Sequence, residues 1–161
     1  MATMACAQAL PALTTGLFRS KDATSVSNAM AFHSREAGTS LAAPVVPGWL
    51  VPTVKSLGDL LQLHRDWDGY GADEVQEHIA QKALWLLVEV MDNDSPSPSV
   101  VPLNDGGIQL EWHRHGRNLE IEFPVAAPPV FFYYEDASEL ETEGAVSRGY
   151  NHIQEYLLHL R

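Results

Sequence analysis

The stretch that decides the fold is Gly106-Gly107-Ile108-Gln109-Leu110-Glu111-Trp112, followed by His113-Arg114-His115-Gly116-Arg117 and Asn118-Leu119-Glu120-Ile121-Glu122-Phe123. Apolar and polar residues alternate in the first and third segments. This period of two is typical of half-buried strands, and the polar, glycine-containing segment between them indicates a turn. The stretch therefore predicts an antiparallel hairpin with one buried face, formed by Ile108, Leu110, Trp112, Leu119, Ile121 and Phe123.

Two helices are predicted before the hairpin. Residues 51–65 place apolar side chains at helical spacing, and Pro52 suits a first helical turn. Residues 73–90 carry a second apolar stripe. Asp73, with Gln76 three residues later, matches the capping box that begins many helices.

The remaining elements follow from the segments around the hairpin. We expect a strand over residues 99–103 and an aromatic strand over residues 130–134. Residues 139–143 indicate either a short edge strand or an acidic loop, and residues 150–160 indicate a helix. The predicted fold class is therefore α+β: two N-terminal helices, an antiparallel three- to four-stranded meander sheet, and a C-terminal helix.

The chain divides by composition into two parts. Residues 1–48 are rich in Ala, Ser and Thr and lack periodicity, which predicts a disordered extension before a single α+β domain over residues 49–161. An organellar transit peptide and an upstream start codon are two alternatives for the extension. The chain has one cysteine, Cys6, and this favours a reducing, cytoplasmic setting. No apolar run approaches the roughly 20 residues of a membrane helix, so no membrane partner is expected.

The net charge of the chain is -11, and it is unevenly distributed. The first 50 residues carry three basic and two acidic side chains, so residues 51–161 hold a net charge of -12. Such an acidic domain repels phosphate backbones, which argues against direct nucleic-acid binding. The charge instead favours a basic protein partner, although it also serves solubility.

A partner-binding surface is predicted around the aromatic strand. Its outward side chains are hydrophobic, and tyrosine and other aromatic residues dominate binding hot spots. The acidic residues that follow would steer a basic partner. The predicted surface consists of Phe132, Tyr134, Glu135, Asp136, Glu139, Glu141 and Glu143.

Three residues of the hairpin suggest a metal site. Glu111, His113 and His115 alternate along the sequence, which would place them on one face of a strand. Two histidines and a carboxylate are suitable zinc or iron ligands. However, His113 and His115 flank the turn, and cross-strand pairing on a solvated, mixed-charge sheet face explains the same residues.

The loop between the first two helices has the sequence Asp66-Trp67-Asp68-Gly69-Tyr70-Gly71. Its acids and glycines resemble a calcium loop, but the EF-hand spacing is not met, because glycine occupies the fourth place and not the sixth. We therefore interpret Trp67, Asp68, Gly69, Tyr70 and Gly71 as a structural loop, with its two aromatic residues anchored in the core.

Catalytic signatures are missing from the sequence. It contains no Gly-x-Ser-x-Gly elbow, no phosphate-binding loop and no dinucleotide fingerprint, and the paired carboxylates are explained by the acidic composition. We therefore expect no cofactor, and the sequence argues against an enzyme.

The motifs together resemble a known group of proteins. Trp67-Asp68-Gly69-Tyr70-Gly71-Ala72, Gly106-Gly107-Ile108-Gln109-Leu110-Glu111-Trp112 and Leu119-Glu120-Ile121-Glu122 are similar to motifs of a family of small, uncharacterised bacterial proteins. The resemblance covers roughly residues 50–145. It implies a bacterial or phage setting, which counts against a transit peptide, and it supplies no catalytic residues.

Three functional hypotheses follow. The first is a non-enzymatic, acidic protein-interaction module, for example an antitoxin-like or immunity-like accessory protein that binds a basic protein. The second is a phage or mobile-element inhibitor that imitates nucleic acid. The third is a metal-dependent enzyme that uses Glu111, His113 and His115. A homo-oligomer is compatible with each, because symmetric pairing satisfies sheet edges.

Overall fold

The hairpin predicted from the sequence lies at the centre of the sheet. In the computed structural model, which describes residues 45–146 and 150–161, strand β2 spans Ile108–Arg114 and strand β3 spans Arg117–Phe123. Leu110 lies opposite Ile121 in the register of the two strands. His115 and Gly116 form the turn with φ angles of 55° and 69°. Two consecutive positive φ angles fit the tight hairpin turn that matches the twist of the flanking strands.

The sheet has five strands, which is one or two more than the sequence predicted. Strand β1 spans Ser99–Pro102, β4 spans Val130–Glu135 and β5 spans Leu140–Ala145. All neighbours are antiparallel, and the order in the sheet is β1-β2-β3-β4-β5. The described residues therefore form an α+β fold built on a simple meander.

The sequence left open whether residues 139–143 form an edge strand or an acidic loop, and the structure shows the strand β5 there. Its side chains are mostly exposed, so it lacks the apolar alternation that identifies a strand in a sequence. Gly144 lies opposite Phe131, and a side chain at Gly144 would meet the Phe131 ring at 3.1 Å. The ring covers the glycine, and this type of aromatic contact stabilises a strand that contains glycine.

Three helices occur in the described residues. Helix α1 spans Leu50–Leu60, α2 spans Glu77–Val90 and α3 spans Asn151–His159. None of them has the length and apolar character needed to cross a bilayer. In the described residues two helices precede the sheet and one follows it, and α1 ends five residues earlier than predicted.

The predicted start of the second helix at Asp73 is wrong. The amide of Asp73 donates to the Asn104 carbonyl at 2.9 Å, and the amide of Gln76 donates to the Gly106 carbonyl at 2.9 Å. Residues 73–76 therefore pair with the turn between β1 and β2, and α2 begins at Glu77 without a side-chain cap. Tertiary hydrogen bonds have replaced the local capping box.

The core lies between the helices and one face of the sheet, which we call the inner face. Two buried tryptophans close it: the indole of Trp49 donates to the Asp92 carbonyl and that of Trp112 to the Pro96 carbonyl, each at 2.8 Å. Tyr156 of α3 stacks on Tyr133 of β4, with ring centroids 4.0 Å apart. The buried strand residues are Ile108, Leu110, Trp112, Leu119, Ile121, Phe123, Phe131 and Tyr133.

The compact unit that contains the sheet spans Val46–Arg161. Pro47 accepts a hydrogen bond from the Leu50 amide at 3.1 Å and so belongs to the start of α1. The predicted disordered extension of residues 1–48 falls almost entirely on residues outside the described ranges, and Cys6 lies there as well.

Candidate protein-interaction face

The sheet has a second face, on the side away from the core, which we call the outer face. Side chains alternate along each strand, so the register of the five strands assigns every residue to one face. The outward positions are Ser99, Val101, Gln109, Glu111, His113, Asn118, Glu120, Glu122, Val130, Phe132, Tyr134, Glu141, Glu143 and Ala145. They include five glutamates, and none of them is lysine or arginine. The outer face is therefore strongly acidic.

Two of these glutamates lie directly opposite each other in the centre of the face. Glu111 pairs with Glu120 in the register of β2 and β3. The side-chain amide of Gln109 donates hydrogen bonds to both carboxylates, at 3.1 Å to Glu111 and 3.0 Å to Glu120. Like charges in this arrangement repel, and the bridging amide offsets part of the repulsion.

His113 extends this network along β2. Its Nδ1 lies 2.9 Å from the side-chain oxygen of Asn118, and its Nε2 lies 3.4 Å from a carboxylate oxygen of Glu111. The hydrogen bond to Asn118 and then the nearby carboxylates of Glu111 and Glu120 raise the pKa of His113 above its usual value, because they favour the protonated ring. The histidine is half-exposed, so its charge can respond to solvent pH.

Two aromatic side chains lie among the carboxylates. Phe132 lies between Glu120 on β3 and Glu143 on β5 in one cross-strand row, and Tyr134 lies opposite Glu141. Both rings are half-buried. The outer face thus combines apolar surface with negative charge, which is the chemistry expected of a surface that binds a basic protein.

A cleft of about 440 Å³ opens over β3, β4 and β5. Phe132 and Val130 contribute apolar surface to it, and carboxylates border it. The lining residues are Glu120, Glu122, Val130, Phe131, Phe132, Glu143, Gly144 and Ala145.

The predicted partner-binding residues are only partly brought together. Phe132, Tyr134, Glu141 and Glu143 share the outer face. Glu135 occupies the opposite face at the end of β4. Asp136 and Glu139 lie in the connection between β4 and β5, outside both strands.

Glu135 is engaged inside the domain. It accepts hydrogen bonds from Ser138 Oγ at 2.7 Å and from Arg117 Nε at 2.6 Å. These two contacts, in that order, lower the pKa of the Glu135 carboxyl. Because its charge is already paired with Arg117, Glu135 does not add to the free charge of the outer face.

Three further acidic residues were not assigned to the partner surface from the sequence. Glu111, Glu120 and Glu122 alternate visibly along the hairpin, so the sequence shows that they share one face. It does not show that β4 pairs with β3 in the register that places Glu120 beside Phe132. That pairing joins the hairpin glutamates and the aromatic strand into one surface.

The structure does not place all three residues of the predicted metal site on one strand. His115 is not part of β2, because it lies in the turn with a positive φ angle of 55°. His113 and Glu111 contact each other and their neighbours. Within residues 45–146 and 150–161, no group of three His, Cys, Asp or Glu side chains is arranged to hold a metal ion.

The loop between α1 and α2 is closed by its own carboxylates. Asp68 Oδ1 accepts hydrogen bonds from the amides of Tyr70 at 2.8 Å and Ala72 at 3.1 Å, and Asp66 Oδ1 accepts one from Gly71 at 2.7 Å. The amide contacts from Tyr70 and Ala72 lower the pKa of Asp68. One oxygen of each of these carboxylates therefore binds backbone N–H groups.

The interpretation of this segment as a structural loop needs one correction. Gly69 and Gly71 have φ angles of 74° and 94°, which glycine adopts without strain. The indole of Trp67 is half-buried and donates to the Asp73 carbonyl at 3.3 Å. The Tyr70 side chain, however, is 94% exposed and does not anchor the loop in the core.

We compared the chain with protein-family models, with curated proteins and with solved structures, and none of them matches it. The resemblance to small bacterial proteins stays a prediction.

Proposed function

We propose that this protein is a non-enzymatic interaction module whose outer face binds a basic protein. The observation that carries this proposal is the composition of that face: five glutamates and two aromatic rings, with no lysine or arginine at an outward position. The inner face packs against the described helices and forms the core. An antitoxin-like or immunity-like accessory protein would act in this way.

The charge pattern supports binding of a basic partner over self-association. Two copies that met through their outer faces would bring like charges together, which costs several kcal/mol at an interface. A lysine- or arginine-rich surface would instead be attracted over a distance of about one Debye length, roughly 8 Å at physiological salt. The rings of Phe132 and Tyr134 then supply apolar contact area.

Affinity purification with matched variants of the full chain tests the proposal. The first bait is the original chain, the second is Glu122→Gln/Glu143→Gln on the outer face, and the third is Glu77→Gln/Glu89→Gln on exposed positions of α2. The last two lose the same charge. We expect a stoichiometric basic protein with the first and third baits, and at least tenfold less of it with the second.

Two outcomes would overturn the proposal. One is equal loss with both double variants, because total charge and not the outer face would then determine capture. The other is capture of a nucleic-acid-binding protein that added DNA releases from every bait, because DNA and the bait would then compete for the same groove. That result would replace the module with an inhibitor that imitates nucleic acid.

A further inference from the structure

The cleft on the outer face has a specific arrangement of charge around one ring. Glu120, Phe132 and Glu143 are direct neighbours across β3, β4 and β5. Adjacent strands are about 4.8 Å apart, so the two glutamate backbones lie about 10 Å apart with the ring between them. A flat cation placed over the ring would lie within reach of a carboxylate on each side.

The floor of the cleft is formed by apolar residues with small or medium-sized side chains. Val130 pairs with Ala145 in the row next to Phe132, and Glu122 lies beside Val130 on β3. The small Ala145 side chain leaves space above β5, and 39% of the Val130 surface is exposed. The cleft volume of about 440 Å³ can hold a long side chain together with part of its backbone.

The carboxylates that border the cleft are available to a ligand. Among the described residues, no salt bridge involves Glu120, Glu122 or Glu143. Glu120 accepts the Gln109 amide through Oε2, which leaves its other oxygen free of that bond. The cleft therefore presents negative charge that the rest of the described domain does not neutralise.

We propose that this cleft receives the guanidinium group of an arginine from the basic partner, stacked on Phe132 between Glu120 and Glu143. This inference rests on the proposed function and specifies the residue that is recognised. Guanidinium is planar, stacks on aromatic faces and binds carboxylates through two N–H groups. The ammonium group of lysine is a compact and strongly hydrated point charge, so it gains less from the ring.

The test uses two defined probes of equal charge, a capped hexa-arginine peptide and a capped hexa-lysine peptide. Each is titrated into the isotopically labelled full chain at low salt, and the amide signals of the chain are followed by NMR. We expect the arginine peptide to bind more tightly and to shift the signals of Phe132, Glu143 and Ala145. We expect the lysine peptide to give smaller shifts at these positions.

The variant Phe132→Leu keeps the apolar floor and removes the ring. It should weaken arginine-peptide binding by roughly twofold to fivefold, the size of an exposed cation–π contact, and leave lysine-peptide binding nearly unchanged. The matched control is Trp85→Leu, which removes a 41% exposed aromatic side chain on α2. It should affect neither peptide.

Three results would overturn the inference. The first is equal affinity for the two peptides, and the second is unchanged binding of the arginine peptide by Phe132→Leu. The third is a change in the NMR signals of the cleft residues with protein concentration in the absence of peptide, which would assign the cleft to a second copy of the chain. The first two leave the proposed function intact if capture of the basic protein still depends on Glu122 and Glu143. The proposed function itself fails when that dependence is lost or when DNA displaces the captured protein.

Discussion

Glu111 lies directly opposite Glu120 on the outer face, and the Gln109 amide donates a hydrogen bond to each of the two carboxylates. Like charges directly opposite each other in a sheet are destabilising, so the stability of the domain does not account for this pair. Attraction of the proposed basic partner would account for the pair. The hydrogen bonds from the Gln109 amide and the nearby His113 ring reduce the repulsion between the two carboxylates in the free protein.

The amide bridge gives the first prediction. Gln109→Glu replaces a donor with a third carboxylate, so we expect it to destabilise the domain by about 1–2 kcal/mol at low salt. The loss should shrink in 1 M salt, where exposed charges are screened within about 3 Å. Urea unfolding at both salt concentrations measures it. Gln62→Glu, in the exposed segment after α1, is the control, and an equal effect there would contradict the bridging role.

The second prediction concerns pH. The folded pKa of His113 is raised, so its contribution to stability is fully present below the unfolded value of 6.5 and is lost as pH rises through the folded pKa. His113→Gln should remove this part of the pH dependence. Asn118→Ala should lower the pKa of His113, because the hydrogen bond that the ring donates to the side-chain oxygen of Asn118 is the largest cause of the shift.

NMR titration of the His113 ring, together with unfolding at pH 5.5, 7 and 8.5, checks this prediction. A pKa of His113 at or below 6.5 in the intact chain would contradict the network. An unchanged pKa in Asn118→Ala would show that the carboxylates alone produce the shift.

The third prediction concerns two glycines with opposite roles. A side chain at Gly107 would lie 2.5 Å from the Phe123 carbonyl, where only backbone movement could relieve the clash. Gly107→Ala should therefore destabilise the domain by about 1–3 kcal/mol. Gly58 lies inside α1 with nothing within 4 Å, so Gly58→Ala should stabilise it by about 0.5–1 kcal/mol. Thermal unfolding that moved both variants in the same direction would be inconsistent with this geometry.

The fourth prediction concerns the loop closed by Asp68. Its pKa is lowered from 3.8, so its contribution to stability is present above pH 3.8 and is lost as pH falls further through the folded pKa. Asp68→Asn keeps an acceptor oxygen but removes the charge, so it should be less stable than the original chain at pH 7 and approach it near pH 3. Asp94→Asn, at an exposed position, is the control for neutralising one carboxylate. A constant difference across this pH range would count against the charged hydrogen bonds.

The sequence predicts the centre of the fold better than its margins. Residues 108–112 and 118–123 alternate between apolar and polar side chains because one face of the hairpin is buried, and the two strands pair so that their apolar residues lie opposite each other. Strand β5 could not be predicted with the same certainty, because Glu141 and Glu143 face outward and Gly144 has no side chain to show a buried face. The capping box at Asp73 failed because its backbone pairs with a distant turn.

The candidate site shows the same division. The outward glutamates of β2 and β3 follow from local alternation. These glutamates and Phe132 form one surface only because β3 and β4 are neighbours in a particular register, and the local sequence does not show this pairing. The exposure of Tyr70 and the pairing of Glu135 with Arg117 likewise depend on contacts between residues distant in the chain or on the course of a loop.

The most direct test of the central claim is the affinity of the captured basic protein for charge-reversed forms of the chain, measured in solution at low and high salt. Glu141→Lys/Glu143→Lys reverses two outer-face charges, and Glu77→Lys/Glu89→Lys reverses two on α2. We predict that the outer-face variant binds at least about tenfold more weakly at low salt, that the difference narrows at high salt, and that the α2 variant binds almost normally. Equal affinities for the two variants would contradict the assignment of the outer face as the binding surface.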